Sequence, residues 1–295
     1  MELVKDLFTV YGDLLVPERT EITPSVIKKI NLMCLRHKKV LVPIVNTDIF
    51  NDFKDVFGDV RYSIMFKPPA SKDDILEVAG KMLIENDLIC ELNNMKGNLP
   101  YTYRHVLIVA ALSIKVGMMD GKGNYDTGIV SHCGFTHDMG KTRIPISILN
   151  KSKKLTRHER IFIETHPAIG YLLLQYYLKK NKDICSMASL GHHERLDGSG
   201  YPKGIVKVDK YSQLISAVDV LDALMTKRPY RDRAFSLRAS LDYLLQEAAM
   251  KKFNKHVVLT LISMARKTKP EITSMHISAA PREELPEKIT HDKYR

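Results

Sequence analysis

Apolar residues recur at helical spacing over most of the chain, in blocks separated by short polar or Pro/Gly-containing breaks. Thr23-Pro24-Ser25 followed by Val26-Ile27-Lys28-Lys29-Ile30-Asn31-Leu32-Met33 predicts a capped amphipathic helix. Lys39-Val40-Leu41-Val42-Pro43-Ile44-Val45 has the continuous apolar run of a short buried strand, and Arg61-Tyr62-Ser63-Ile64-Met65-Phe66 is a second strand candidate. With a helix over residues 48–56 between them, residues 1–68 are expected to form a small α/β accessory domain, a sensor or dimerisation module or a plain packing extension. Lys67-Pro68-Pro69-Ala70-Ser71 marks its boundary, because paired prolines stop regular structure and Ser71 can cap the next helix. Ile75, Leu76, Val78, Ala79, Met82, Leu83 and Ile84 then predict a linker helix within residues 69–98.

From residue 99 onward the pattern is helical almost throughout, with blocks at 105–118, 129–139, 155–180, 214–224, 236–249 and 255–264. The expected fold is therefore mainly α, a helical bundle over residues 99–269 with a small N-terminal α/β domain, and residues 270–295 form a polar, Pro-containing tail. The bundle carries polar side chains where apolar ones are expected. His105, His137, Asp138, His166, His192, His193 and Asp219 all lie in or beside apolar helical patterns, and burying so many without compensation is expensive, whereas metal coordination accounts for them together. An adjacent His137-Asp138 pair puts an imidazole and a two-oxygen carboxylate within reach of one cation, so Asp138 can bridge two. His132 precedes His137 by five residues and faces another side of its helix, and His158 sits among charged neighbours; both are expected outside the cluster.

The 295-residue chain has a formal charge of +11, which attracts anions such as nucleotides, nucleic acid or an acidic partner. No basic stretch is interleaved with aromatic residues and Trp is absent, which argues against nucleic acid. Cys34, Cys90, Cys133 and Cys185 are scattered without C-x-x-C spacing, so neither a zinc knuckle nor a disulfide framework is expected and a reducing cytoplasm fits. The N-terminus lacks a signal-peptide pattern and no uninterrupted apolar segment reaches bilayer length, so a cytoplasmic protein with no membrane partner is expected.

Six motifs stand in order: His105-Val106-Leu107-Ile108-Val109-Ala110; His137-Asp138-Met139-Gly140-Lys141; Ile144-Pro145 with Ile148-Leu149; His166-Pro167-Ala168-Ile169-Gly170; His192-His193-Glu194-Arg195-Leu196-Asp197-Gly198-Ser199-Gly200-Tyr201-Pro202; and Asp219 to Leu224 with Arg228-Pro229-Tyr230-Arg231. Over about residues 98–265 this arrangement resembles the HD-GYP family, a branch of the HD phosphohydrolases. The resemblance implies an HD-type bundle and a cyclic di-GMP phosphodiesterase that opens its substrate to linear pGpG, and in some members onward to GMP. It implies His105, His137, Asp138, His166, His192, His193 and Asp219 as metal ligands, with Asp138 between two divalent cations, Fe first and Mn second. His105, His137 and Asp219 would hold one ion, and His166, His192 and His193 the other. A hydroxide activated between the ions would attack the phosphodiester. Lys141, a catalytic residue with Asp138, would also contact substrate phosphate together with Arg228 and Arg231. The loop of Gly200, Tyr201 and Pro202 is associated in the family with substrate access and signalling partners, so Tyr201 is expected to anchor the loop. Glu194 and Asp197 are expected to order that loop by hydrogen bonds, and Asp222 to act beside the ligands rather than among them.

One departure limits the metal count. Members with three metals carry a Glu one turn before the first ligand His, and here that position is Tyr101, a poor substitute for a hard carboxylate. Three alternatives stay open: a cyclic-dinucleotide receptor without turnover, a phosphodiesterase for a mixed cyclic dinucleotide, and a bundle stabilised by structural metal. Homodimerisation also stays open.

Overall fold

The computed structural model describes residues 2–36, 39–120, 123–178, 183–227 and 233–275. β1 (Leu7–Phe8) pairs antiparallel with β2 (Leu14–Val16), and α1 (Pro24–Arg36) follows with Thr23 Oγ1 accepting from Val26 N at 3.4 Å. β3 (Leu41–Pro43) leads through α2 (Asp48–Asp55) to α3 (Lys72–Gly80), β4 (Leu83–Glu85) and α4 (Asn86–Asn98). The core helices are α5 (Pro100–Met119), α6 (Thr127–Thr136), the short α7 (Ile146–Leu149), α8 (Arg157–Glu164), α9 (His166–Tyr177), α10 (Asp183–Gly191), α11 (Lys210–Met225), α12 (Leu237–Ala249) and α13 (Lys255–Ala265). The fold is mainly α, as the periodicity predicts.

Three local expectations are corrected. The linker helix is two helices, because Leu83-Ile84-Glu85 pairs with Leu41-Val42-Pro43 (Ile84 opposite Val42) and interrupts the helical period. The strand β3 is partly exposed rather than buried, since it has a single neighbour; the fully buried residue is Ile44, just beyond it. Residues 61–66 form no strand. Val60–Tyr62 is a 3-10 turn opened by Asp59, whose side chain accepts from Arg61 N at 3.1 Å, and Tyr62, Met65 and Phe66 turn inward at the spacing of a helical turn. Ser71 does cap α3, in a reciprocal box with Asp74.

α5 is long and apolar enough to cross a membrane by length and composition, although Arg104 and Lys115 interrupt its apolar run, and 78% of that window is buried inside the protein. It packs against α4, α6, α11 and α13. The α5–α6 crossing is close because Gly134 lies against Ala110, where any Cβ would collide with backbone. One continuous apolar cluster runs from Leu3 to Met264, so residues 1–68 share a core with the bundle. The polar expectation for residues beyond 269 falls mostly on 276–295, outside the described residues.

Candidate metal centre

Each side chain of the cluster sits where a helix ends or is tightly crossed. α6 ends at Thr136, and His137 caps it with its N–H donating to Cys133 O. Asp138 then opens the 3-10 turn Met139–Arg143. Gly140 allows that turn to press on α9, because a Cβ there would collide with His166 O and Gly170 N. His166 is the first residue of α9, where Pro167 sacrifices no helical N–H. His192 and His193 follow the end of α10, while His105 and Asp219 project from mid-helix positions on α5 and α11.

These seven side chains converge, and all are buried. Asp138 lies at the centre. Its Oδ2 is 3.6 Å from both His105 Nε2 and His137 Nε2, and its Oδ1 is 3.3 Å from His166 Nε2 and 3.6 Å from His192 Nε2. His105 Nε2 is 3.0 Å from Asp219 Oδ1, His166 Nε2 lies 3.3 Å from His192 Nε2, and His193 Nε2 lies 3.2 Å from His166 Nε2. Two groups of atoms are close enough to surround a cation, Asp138 with His166, His192 and His193, and Asp138 with His105 and His137. His132 lies outside them, bonded to Gly128 O and Leu83 O, and His158 is exposed.

The opposite ring nitrogens are already engaged. His137 Nδ1 faces Gly134 O at 2.9 Å, His166 Nδ1 faces Ile163 O at 2.7 Å and His192 Nδ1 faces Ser189 O at 2.7 Å. A carbonyl can only accept, so each Nδ1 carries hydrogen and each Nε2 presents its lone pair inward. His105 differs: its Nδ1 faces Asp222 Oδ2 at 2.5 Å, and Asp222 Oδ1 accepts from Tyr62 Oη at 2.5 Å. Asp222 thus stands behind His105, on the ring edge opposite Asp219.

Burial pushes His137 down to about 3 and His166 down to about 4, so both rings are neutral and able to bind a cation at neutral pH. Burial also acts downward on His105, but its hydrogen bonds to Asp219 and Asp222 and their charges outweigh it and raise the ring to about 9. Burial alone would raise Asp138, yet the nearby Lys141 charge holds its carboxyl well below the usual range. His137 Nε2 and Asp138 Oδ1 are buried and make no hydrogen bond in the protein. An orphaned imidazole lone pair on the Oδ2 side of Asp138 and an orphaned carboxylate oxygen on its other side each fit a divalent cation.

Lys141 donates to Asp138 Oδ2 at 2.6 Å with its side chain 17% exposed. Tyr201 stacks on His193, ring centroids 4.6 Å apart, and its N–H donates to His193 O. Glu194 orders the loop by accepting from Lys203 N and Ile205 N, and Asp197 accepts from Ser199 N and Oγ. Arg228 and Arg231 lie outside the described residues. Tyr101 is 66% exposed on α5, away from the buried centre. Sequence reasoning missed Tyr62, assigned to a strand, and the buried pair of Glu91 with Arg143 of the turn after Asp138. No local motif signalled either, because their partners are distant in the chain.

The HD-domain family model matches residues 94–257. Among curated proteins, the chain is 39% identical over 126 residues to the cyclic di-GMP phosphodiesterase response regulator RpfG of Xanthomonas campestris pv. campestris (strain 8004), covering 42% of this chain and 33% of that protein. It is 29% identical over 205 residues to the cyclic di-GMP phosphodiesterase PA4108 of Pseudomonas aeruginosa, covering 68% of this chain and 46% of that one. It is 33% identical over 165 residues to the 3'3'-cGAMP-specific phosphodiesterase 1 of Vibrio cholerae, covering 53% and 36%. The chain thus spans between a third and a half of the length of these relatives.

Proposed function

Because the chain belongs to the HD-domain family, in its HD-GYP branch, we propose that it is a metal-dependent phosphodiesterase that opens cyclic di-GMP to linear pGpG. The observation that carries this reading is Asp138, whose two oxygens face two separate sets of imidazole Nε2 atoms. A receptor that only holds its ligand has no use for such a set. In this reading His105, His137 and Asp219 would hold one divalent cation and His166, His192 and His193 the other, with Asp138 contributing to both; nitrogen-rich donors joined by carboxylates suit Fe, or Mn. When bound, such ions supply Lewis acidity, acidifying water and offsetting charge on phosphate oxygens.

The chain's own residues do the rest. The backbone carbonyls behind His137, His166 and His192 fix each ring's orientation and tautomer. Lys141 holds positive charge beside Asp138 at the partly open edge of the site, where a phosphate oxygen of the substrate would lie. Tyr201, packed on His193, holds the loop of Gly200, Tyr201 and Pro202 against that ring. Arg228 and Arg231 are proposed as further phosphate contacts, and the net charge of +11 favours an anionic substrate.

Purified protein loaded with Fe(II) or Mn(II) and incubated with cyclic di-GMP is expected to yield pGpG by chromatography, with two metal ions per chain. Intact substrate with a fully loaded site would leave the receptor reading standing. A second reading is favoured by the Vibrio cholerae relative, whose name specifies 3'3'-cGAMP, so the same assay is run with that dinucleotide.

A further inference from the structure

The segment 59–67 precedes the stretch matched by the family model, yet it reaches the metal centre. Tyr62 is fully buried and its hydroxyl donates to Asp222 Oδ1 at 2.5 Å, while the other oxygen of that carboxylate meets His105 Nδ1 at 2.5 Å. The far nitrogen of His105 faces Asp219 Oδ1 at 3.0 Å and Asp138 Oδ2 at 3.6 Å. Phenol, carboxylate and imidazole therefore form one relay into the His105 side of the centre. Burial and the Asp222 charge push the Tyr62 hydroxyl well above its ordinary value, which keeps it a donor.

The segment is fastened at several points. Arg61 Nη1 donates to Met225 O at 2.9 Å and to Thr226 Oγ1 at 2.8 Å, and Thr226 Oγ1 donates to Asp222 Oδ1 at 3.2 Å. Asp59 receives Arg61 at 2.7 Å and Arg104, the neighbour of His105 on α5, at 3.0 Å. Lys115 and Lys269 donate to Lys67 O and Ile64 O at 2.5 and 2.6 Å. These anchors fix the phenol relative to the helices that carry His105 and Asp219.

We propose that Tyr62 is a positioning residue for the metal centre, holding Asp222 so that His105 presents Nε2 to a cation, and that residues 59–67 thereby set metal affinity on the His105 side alone. The inference rests on the two-cation reading above, and its test needs no turnover. Metal-free protein is titrated with Mn2+ by calorimetry. Tyr62→Phe, which keeps the buried ring, is expected to weaken one of two binding equivalents by about 10-fold, the lower end of the roughly 10- to 100-fold effect of removing a partner behind a ligand. The other equivalent should stay within about 2-fold, and Tyr211→Phe, which removes a buried hydroxyl that accepts from Asp126 N, should leave both unchanged. His105→Ala separates the two ideas. If it removes one equivalent while Tyr62→Phe binds both as wild type, the positioning role is overturned alone. If wild-type protein binds a single equivalent, the two-cation reading falls and this inference with it; if His105→Ala keeps both equivalents at wild-type affinity, His105 is no ligand and the inference falls alone. Equal weakening of both equivalents by Tyr62→Phe, or weakening by Tyr211→Phe as well, would also overturn it.

Discussion

The His105 half of the candidate centre contains one ring held by different chemistry from the carbonyl-backed His137, His166 and His192. Behind His166 and His192 stand backbone carbonyls, which fix orientation without adding charge, and burial leaves His166 at about 4. Behind His105 stands the Asp222 carboxylate, itself gripped by Tyr62, and the ring rises to about 9. A carbonyl-backed ring is ready for metal across ordinary pH, whereas a carboxylate-backed ring is a stronger donor that must first give up a proton. The contrast predicts two sites of unequal proton sensitivity joined by one shared carboxylate.

The largest effect falls on what the halves share. Asp138→Ala is expected to release metal from both and to lower turnover by at least the roughly 100- to 1,000-fold typical of losing one transition-state electrostatic partner; metal analysis and product chromatography read this, and turnover that survives would break the two-cation reading. Asp222→Asn should separate the halves, weakening Mn2+ at the His105 side by about 10- to 100-fold in calorimetry while the His166 side holds. Lowering pH should do the same reversibly. The metal-free His105 ring is protonated below about 9, so affinity on its side falls by about 10-fold per pH unit as pH drops from 8 to 6, while His166 at about 4 and His137 at about 3 add no proton competition there. Parallel pH profiles for the two equivalents would erase the distinction.

The smallest effect concerns the anchors of segment 59–67. Burial lowers Lys115 to about 8 from an ordinary 10.5, with the Lys269 charge adding to it. Between these values the unfolded chain holds a proton that the folded chain has released, so stability rises with pH across that window and is lost as pH falls through about 8. Lys115→Met should flatten this slope in urea titrations at pH 7.5 and 9.5.

How far the site could be read in advance depends on where its information lies. His137-Asp138, His166-Pro167 and His192-His193 sit in contiguous motifs whose chemistry is local, and the structure gathers them. Asp222 was readable as a supporting carboxylate because it lies one turn from Asp219. Tyr62 was hidden: Arg61-Tyr62-Ser63-Ile64-Met65-Phe66 has β-like composition, and only Asp59 capping the turn and the burial of Tyr62, Met65 and Phe66 decide for helical geometry. The run Met82-Leu83-Ile84 fits a helical period equally well, and pairing with Leu41-Val42-Pro43 overrides it.

The buried ion pair of Glu91 with Arg143 carries a practical consequence. Arg143 also donates to Phe8 O, and Tyr177 joins Glu91 while accepting from Val10 N, so the turn after Asp138 is tied to the first ten residues, α4 and α9 together. A protein excised at the edges of the matched stretch would begin at residue 94. Such a fragment would leave the Arg143 guanidinium without its counter-charge and without its bond to Phe8 O, loosening the turn that follows Asp138. Minimal catalytic fragments of this chain should therefore start upstream of its N-terminal strand pair, however cleanly the family boundary is drawn.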